Sequence, residues 1–127
     1  MHQRTHLLVV DDEVELRETL AEELEENGYM VTQAAGGEQA LNILLAVEQK
    51  VDLVISDVQM PGGDGVGLLK AIRAKNPNLP MVIMMTGFAN LSPQEAQSLG
   101  AYSMVGKPFE LKIMLESIQE ALKTAGL

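Results

Sequence analysis

A parallel α/β domain is the fold class this sequence predicts, and three observations predict it. Five short apolar runs alternate with stretches of helical periodicity, and no Pro- or Ser-rich linker interrupts the series. The runs mostly lack the polar alternation of a sheet with one wet face, so helices are expected on both faces. A length of 127 residues with 46% apolar content suits one compact domain that buries its own core, and leaves no room for a second.

The elements follow in order. Leu7 to Val10 is the first strand, and the stripe Leu16, Leu20, Leu24 gives an amphipathic helix ending near Gly28. Met30 to Ala34 is the second strand; after the Gly36-Gly37 turn, Ala40, Leu44 and Val47 mark the second helix. Leu53 to Ser56 is the third strand, followed by a helix with Val66, Leu69 and Ile72 inward. Met81 to Met85 is the fourth strand, with Met81, Met84 and Met85 read as core filling. Ser92, Pro93 and Glu95 then form a helix start, with a capping-box arrangement and Pro in the first turn. Only Ala96 and Leu99 precede Gly100, so this fourth helix is short, thinly anchored and a candidate moving part. Tyr102 to Val105 is the fifth strand, and Leu111, Met114, Leu115, Ile118 and Leu122 give the last helix the clearest apolar face.

Composition excludes several function classes. Without cysteine there is neither a disulfide framework nor a thiolate metal site, and without tryptophan the core rests on aliphatic residues and methionine. The apolar run in "MHQRTHLLVVDDE" is too short for a signal peptide or membrane span, so the chain is expected to be cytoplasmic with no membrane contact. A formal charge of −9 repels a phosphate backbone, so this domain is not expected to bind nucleic acid itself. His2 and His6 read as an N-terminal flank without metal-site context, and the acids Glu15, Glu18, Glu22, Glu23, Glu25 and Glu26 around Arg17 read mostly as a solvated helix face.

In an open parallel sheet, ligands sit beyond the carboxyl ends of the strands. Asp11, Asp12 and Glu13 follow the first strand, Asp57 the third, Thr86 the fourth, and Lys107 and Pro108 the fifth, all at one edge. Taken singly, Asp57 is a loop acid, Asp11 and Asp12 are helix caps, and Thr86 and Lys107 are ordinary strand-end and surface residues. Their convergence changes the reading. Carboxylates this close repel by about 4 kcal/mol per pair at 4 Å and an effective dielectric of about 20. Lys107 offsets part of that, and hard oxygen ligands without His or Cys match Mg²⁺. A carboxylate nucleophile, Mg²⁺, a Lys and a hydroxyl together serve phosphoryl transfer, with Asp57 as nucleophile.

The stretches "VVDDE", "VISDVQMPGGDG", "MVIMMTG" and "VGKPFE", in this order at successive strand ends, resemble the response-regulator receiver domain of two-component signalling, of the chemotaxis-regulator kind. The resemblance covers nearly the whole chain. It implies a flavodoxin-like three-layer sandwich with five helices and strand order 2-1-3-4-5, spanning 1–127 as one domain, with 1–5 as a flank and 124–127 as a tail or the start of a linker. It implies that Asp57 accepts a phosphoryl group from the phosphohistidine of a sensor histidine kinase or a histidine phosphotransfer protein. Mg²⁺ (or Mn²⁺) would be held by Asp12 and Asp57, by Asp11 through water, and by the backbone carbonyl of Gln59. Lys107 and Thr86 would contact the phosphoryl group, and the bond before Pro108 would be cis. The output would be altered protein binding through the face of helix four, strand five and helix five, onto an output domain or target the sequence does not name. Such a chain is a switch limited to self-phosphotransfer and autodephosphorylation, not an enzyme acting on other substrates.

Three departures qualify the resemblance. Many receivers place a Tyr or Phe three residues before the strand-five Lys; here Met104 stands there, with Tyr102 two residues earlier and on the same face if the strand is regular. Gln59 and Phe88 occupy the positions two beyond Asp57 and Thr86, from which they are expected to tune phosphate lifetime. "GAYSMVGKPF" lacks the paired acids of the winged-helix transcription-factor subfamily, so a monomer or a weak, phosphorylation-dependent dimer is expected. The alternatives are a Mg²⁺-dependent aspartyl-phosphate phosphohydrolase, a flavin module and a phosphorylation-independent interaction domain. The first calls for a nucleophile after strand one with a second acid two residues on, a place held here by Glu13 after Asp11, and for a cap domain to enclose a substrate, for which the sequence offers no candidate; the second calls for a Ser/Thr/Gly-rich first loop where "DDEVE" stands. The intact set of site residues weighs against the third.

Overall fold

The computed structural model describes residues 4–46, 50–60, 64–87 and 91–127. Within these, strands and helices alternate as β1 (His6–Val10), α1 (Val14–Glu26), β2 (Met30–Ala34), α2 (Gly37–Leu45), β3 (Leu53–Asp57), α3 (Gly65–Lys75), β4 (Met81–Thr86), α4 (Pro93–Ser98), β5 (Ser103–Gly106) and α5 (Leu111–Thr124). All four strand pairings are parallel, in the order β2-β1-β3-β4-β5. This is the expected flavodoxin-like topology. β3 runs one residue further than its apolar run: Asp57 pairs with Met85, and the Val58 N–H donates to the Met85 carbonyl at 2.9 Å. The acid is therefore the last rung of a ladder, not the first residue of a loop.

Period-two alternation along the central strands splits the core into two layers. Leu8, Val10, Val54, Val82 and Met84 pack with Ala40 of α2, Leu68, Leu69 and Ile72 of α3, and Ala96 of α4. Leu7, Val9, Leu53, Ile55, Ile83 and Met85 pack with Leu20 and Leu24 of α1 and Met114, Ile118 and Ala121 of α5. Each such Leu, Ile or Met contributes about 1.5–3 kcal/mol of burial, and together they fix the sheet edge that carries the site. α4 has the capping box its sequence predicts, with the Glu95 N–H on Ser92 Oγ at 3.1 Å and the Ser92 N–H on Glu95 Oε1 at 3.2 Å. Its six residues bury only Ala96, so the cap and one methyl group carry most of its anchorage.

Three readings need correction. His6 is not part of a flank: it opens β1, is 2% exposed, and its ring bonds Thr32 Oγ1 at 2.7 Å and the Lys50 carbonyl at 3.0 Å. Strand pairing buries it, and two local oxygens satisfy both nitrogens. Tyr102 and Met104 do not share a face. β5 begins only at Ser103; Tyr102 packs into the α1/α5 layer and Met104 into the α2/α3/α4 layer. Neither Asp11 nor Asp12 caps α1, whose N-cap is Glu13 with no side-chain bond; Asp11 Oδ1 instead accepts the Glu13 N–H across a tight turn. The Lys107–Pro108 bond is cis, as expected, and so is Leu79–Pro80. Val47, His2 and Phe88 lie outside the described residues.

Candidate functional site

The site forms where β1, β3, β4 and β5 end. Asp11 is fully buried at the end of β1, and its N–H donates to the Ala34 carbonyl of β2 at 3.1 Å. Asp12 follows, exposed to solvent. Asp57 is 8% exposed, with its backbone carbonyl accepting the Ser56 hydroxyl at 3.0 Å and its Oδ1 facing the Gln59 N–H at 3.4 Å. β5 delivers Lys107, whose N–H donates to the Thr86 carbonyl at 2.8 Å and so ties the two switch candidates together through the backbone. Asp12, Glu13, Asp57, Gln59, Thr86, Gly87 and Lys107 line a cleft of about 230 Å³.

Lys107 is the electrostatic centre. Its ammonium donates to Asp11 Oδ2 and to Asp57 Oδ2, each at 2.8 Å, with Glu13 Oε1 at 3.7 Å. Desolvation by burial pulls its pKa down, but the hydrogen bonds and Coulombic attraction to Asp11 and Asp57 outweigh that and hold it above the ordinary lysine value. It therefore stays charged at neutral pH. One oxygen from each of Asp11, Asp12 and Asp57 can be chosen so that all three lie within 4.8 Å of one another. A single ammonium against three carboxylates leaves two negative charges, which a hard dication matches in sign, size and ligand preference. The residues present thus fit Mg²⁺.

Of the residues expected from sequence, Asp11, Asp12, Asp57, Gln59, Thr86 and Lys107 meet at this edge. Met104 does not reach the cleft; with Pro108, Phe109 and Ile113 it lines a separate hollow on the flank of β5 and α5. Three contributors were not foreseen: Ser56, which bonds the Asp57 carbonyl, Arg17, which bonds the Asp11 carbonyl at 2.8 Å, and Gly65. At Gly65 a Cβ would collide with the Asp57 carbonyl oxygen and come within 3.0 Å of Met84 Cε, while the Gly65 N–H donates to the Val58 carbonyl at 2.8 Å. Gly65→Ala is therefore expected to lower stability by about 1–3 kcal/mol and to displace the Asp57 backbone. Urea unfolding and the Asp57 amide chemical shift check this; an unchanged shift would mean that α3 yields instead.

Comparison with known proteins agrees with the geometry. Residues 7–119 match the family described as Response regulator receiver domain. The chain is 36% identical over 117 residues to sporulation initiation phosphotransferase F of Bacillus subtilis, covering 91% of this chain and 92% of that protein. It is 34% identical to the transcriptional regulatory protein GlrR of Escherichia coli over 96% of this chain but only 27% of that protein's length. Among solved structures, the response regulator TrrA of Thermotoga maritima, in complex with Mg²⁺-BeF, superposes with a TM-score of 0.82 at 34% identity, over 92% of this chain and 98% of that one.

Proposed function

The chain belongs to the response-regulator receiver family, and from that premise we propose that it is a signalling switch set by phosphorylation of Asp57. The observation that carries this is the shared ammonium: Lys107 holds Asp57 Oδ2 and Asp11 Oδ2 at 2.8 Å each, so the carboxylate is fixed at an open cleft beside a charge that can follow it to a phosphoryl group. The phosphodonor is the phosphohistidine of a sensor histidine kinase or histidine phosphotransfer protein. An Asp57 carboxylate oxygen attacks phosphorus, the P–N bond breaks, its electron pair stays on the imidazole, and an acyl phosphate results. Mg²⁺ or Mn²⁺ would be held by Asp12, Asp57, the Gln59 carbonyl and, through water, Asp11, and would supply charge neutralisation for the phosphoryl oxygens. Lys107 shifts its hydrogen bonding from the carboxylate to the phosphoryl oxygens, and Thr86, lining the same cleft at the end of β4, donates its hydroxyl.

Output is a population shift towards the conformer in which Thr86 and Lys107 both reach the phosphoryl group. α4 is the element that follows, because it buries only Ala96, and the face of α4, β5 and α5 presents the result to an output domain or target protein. That face has half-exposed Ile113 beside Met104, Pro108 and Phe109 around a hollow of about 380 Å³. Met104 packs towards α4 and is the relay candidate in place of an aromatic ring. Met104→Ala is expected to reduce the phosphorylation-induced chemical-shift changes in α4 while leaving those at Asp57 in place; equal changes in α4 would remove Met104 from the relay. Gln59, exposed at the mouth, and Phe88 tune phosphate lifetime, so Gln59→Ala is expected to change the autodephosphorylation rate by about 2- to 10-fold, followed by loss of label over time. Residues 1–127 act as one domain, with 1–5 as flank and 124–127 as tail or linker, in the cytoplasm, as a monomer or a weak phosphorylation-dependent dimer. Among the described residues no helix is long and apolar enough to cross a membrane.

The deciding experiment incubates the chain with a small-molecule phosphodonor and Mg²⁺ and maps the acid-stable, base-labile phosphate by mass spectrometry. The label is expected on Asp57; no label, or a label elsewhere, would overturn the reading.

A further inference from the structure

We infer that Arg17 is a positioning residue for the acidic pair, spanning from the first turn of α1 to the Asp11 carbonyl and the Gln33 side chain and so fixing the turn from which Asp11 and Asp12 project. The inference rests on the proposed metal-assisted reading of the cleft and deepens it. Arg17 belongs to a helix rich in glutamates, but its neighbours one turn on are the buried Leu20 and Ala21, and its side chain is half-buried at the sheet side of the helix. Among the described residues it is in no ion pair. Its Nη1 donates to the Asp11 carbonyl at 2.8 Å and its Nε to Gln33 Oε1 at 3.0 Å. A planar guanidinium can hold two acceptors in a fixed relation, which a lysine ammonium on a flexible stem cannot.

The consequence falls on Asp12. Asp11 is held at three oxygens: the carbonyl by Arg17, Oδ1 by the Glu13 N–H at 2.9 Å, and Oδ2 by Lys107 at 2.8 Å. Asp12 is exposed, and its carboxylate takes no hydrogen bond from any described residue, so its placement is inherited from the backbone of Asp11. Arg17 is thus the side chain that locks the turn from outside the cleft. Removing it acts in two opposed ways. Loss of a positive charge near the cleft favours a dication; loss of the backbone pin spreads the carboxylates and disfavours it. Positioning and plain electrostatics therefore predict opposite signs.

The test measures Mg²⁺ dissociation constants by calorimetry and by the amide shifts of Asp12 and Asp57, for wild type, Arg17→Ala, Arg17→Lys and Gln33→Ala, at a temperature where circular dichroism shows each variant folded. Arg17→Ala is expected to weaken Mg²⁺ binding about 10-fold, as loss of an outer-shell partner does. Arg17→Lys keeps the charge but loses the fork and should fall between wild type and Arg17→Ala; Gln33→Ala, which removes one of the two anchors, should weaken binding about 2- to 3-fold. Should Arg17→Ala fail to fold, Arg17→Lys and Gln33→Ala still decide, because both keep the positive charge: positioning predicts weaker binding, whereas electrostatics alone predicts no change. Unchanged or tighter binding in the folded variants, with wild type binding normally, would overturn the positioning role and leave the proposed function standing. Absence of Mg²⁺ binding in wild type would overturn both.

Discussion

Asp57→Asn is expected to reduce phosphoryl incorporation from a small phosphodonor to background while leaving the fold intact. Asparagine keeps the shape and one acceptor oxygen but presents an amide, which is no nucleophile towards phosphorus at neutral pH, so no other atom at the end of β3 can take over the bond. Stability should not fall with activity. Asp57 is only 8% exposed and sits within the carboxylate cluster, and Lys107 keeps its 2.8 Å partner on Asp11 when the charge on Asp57 is removed. Removing one of three mutually repelling charges therefore leaves the unfolding midpoint equal to or above that of wild type. Intact-mass and peptide-level mass spectrometry give the labelling, and urea unfolding followed by circular dichroism gives the stability. Persistent labelling in the folded variant would mean that another acid is the acceptor.

That such a residue could be picked out before the fold was known follows from what a sequence encodes locally. The apolar runs of β1, β3 and β4 lie wholly within their strands, and the polar residues at their ends, Asp11, Asp57 and Thr86, need only strand direction to be placed at one edge. Strand direction follows from the alternation with helices. What stayed hidden depends on distant or three-dimensional neighbours. Arg17 is one basic residue among glutamates in the sequence, and only the turn that brings the Asp11 carbonyl and Gln33 beneath α1 gives it a task. His6 reads as a terminal residue until β1 is seen to start there and to place it against Thr32 and Lys50. Gly65 follows a segment that reads as an ordinary turn, and its need for a bare Cα appears only against the Asp57 carbonyl. Strict alternation puts Tyr102 on the face of Met104, which fails because β5 starts one residue later. In each case periodicity indicates that an element is present, while its exact end or the contact it makes depends on another part of the chain.

Lys107→Met is expected to destabilise the metal-free protein by about 2–3 kcal/mol and to regain much of that in millimolar Mg²⁺. Methionine keeps most of the stem's packing, so the loss isolates the ammonium. Without it the wholly buried Asp11 Oδ2 and the nearly buried Asp57 Oδ2 lose a shared donor at 2.8 Å and face each other uncompensated. Leaving one side of a buried pair without its partner costs about 3–5 kcal/mol; the open mouth of the cleft, where solvent reaches Asp12 and Gln59, places the expectation below that range. Asp11 retains the Glu13 N–H and the Arg17 clamp on its carbonyl, so the turn should persist and the defect should be one of charge. A dication held by the same carboxylates supplies the missing positive charge, and ligand linkage turns its affinity into stability. Urea unfolding of wild type and Lys107→Met, each with and without Mg²⁺, checks both halves. A destabilisation that Mg²⁺ does not reduce, in a protein that still binds it, would show that the lysine acts chiefly through packing and that the charge balance proposed for the cleft is wrong.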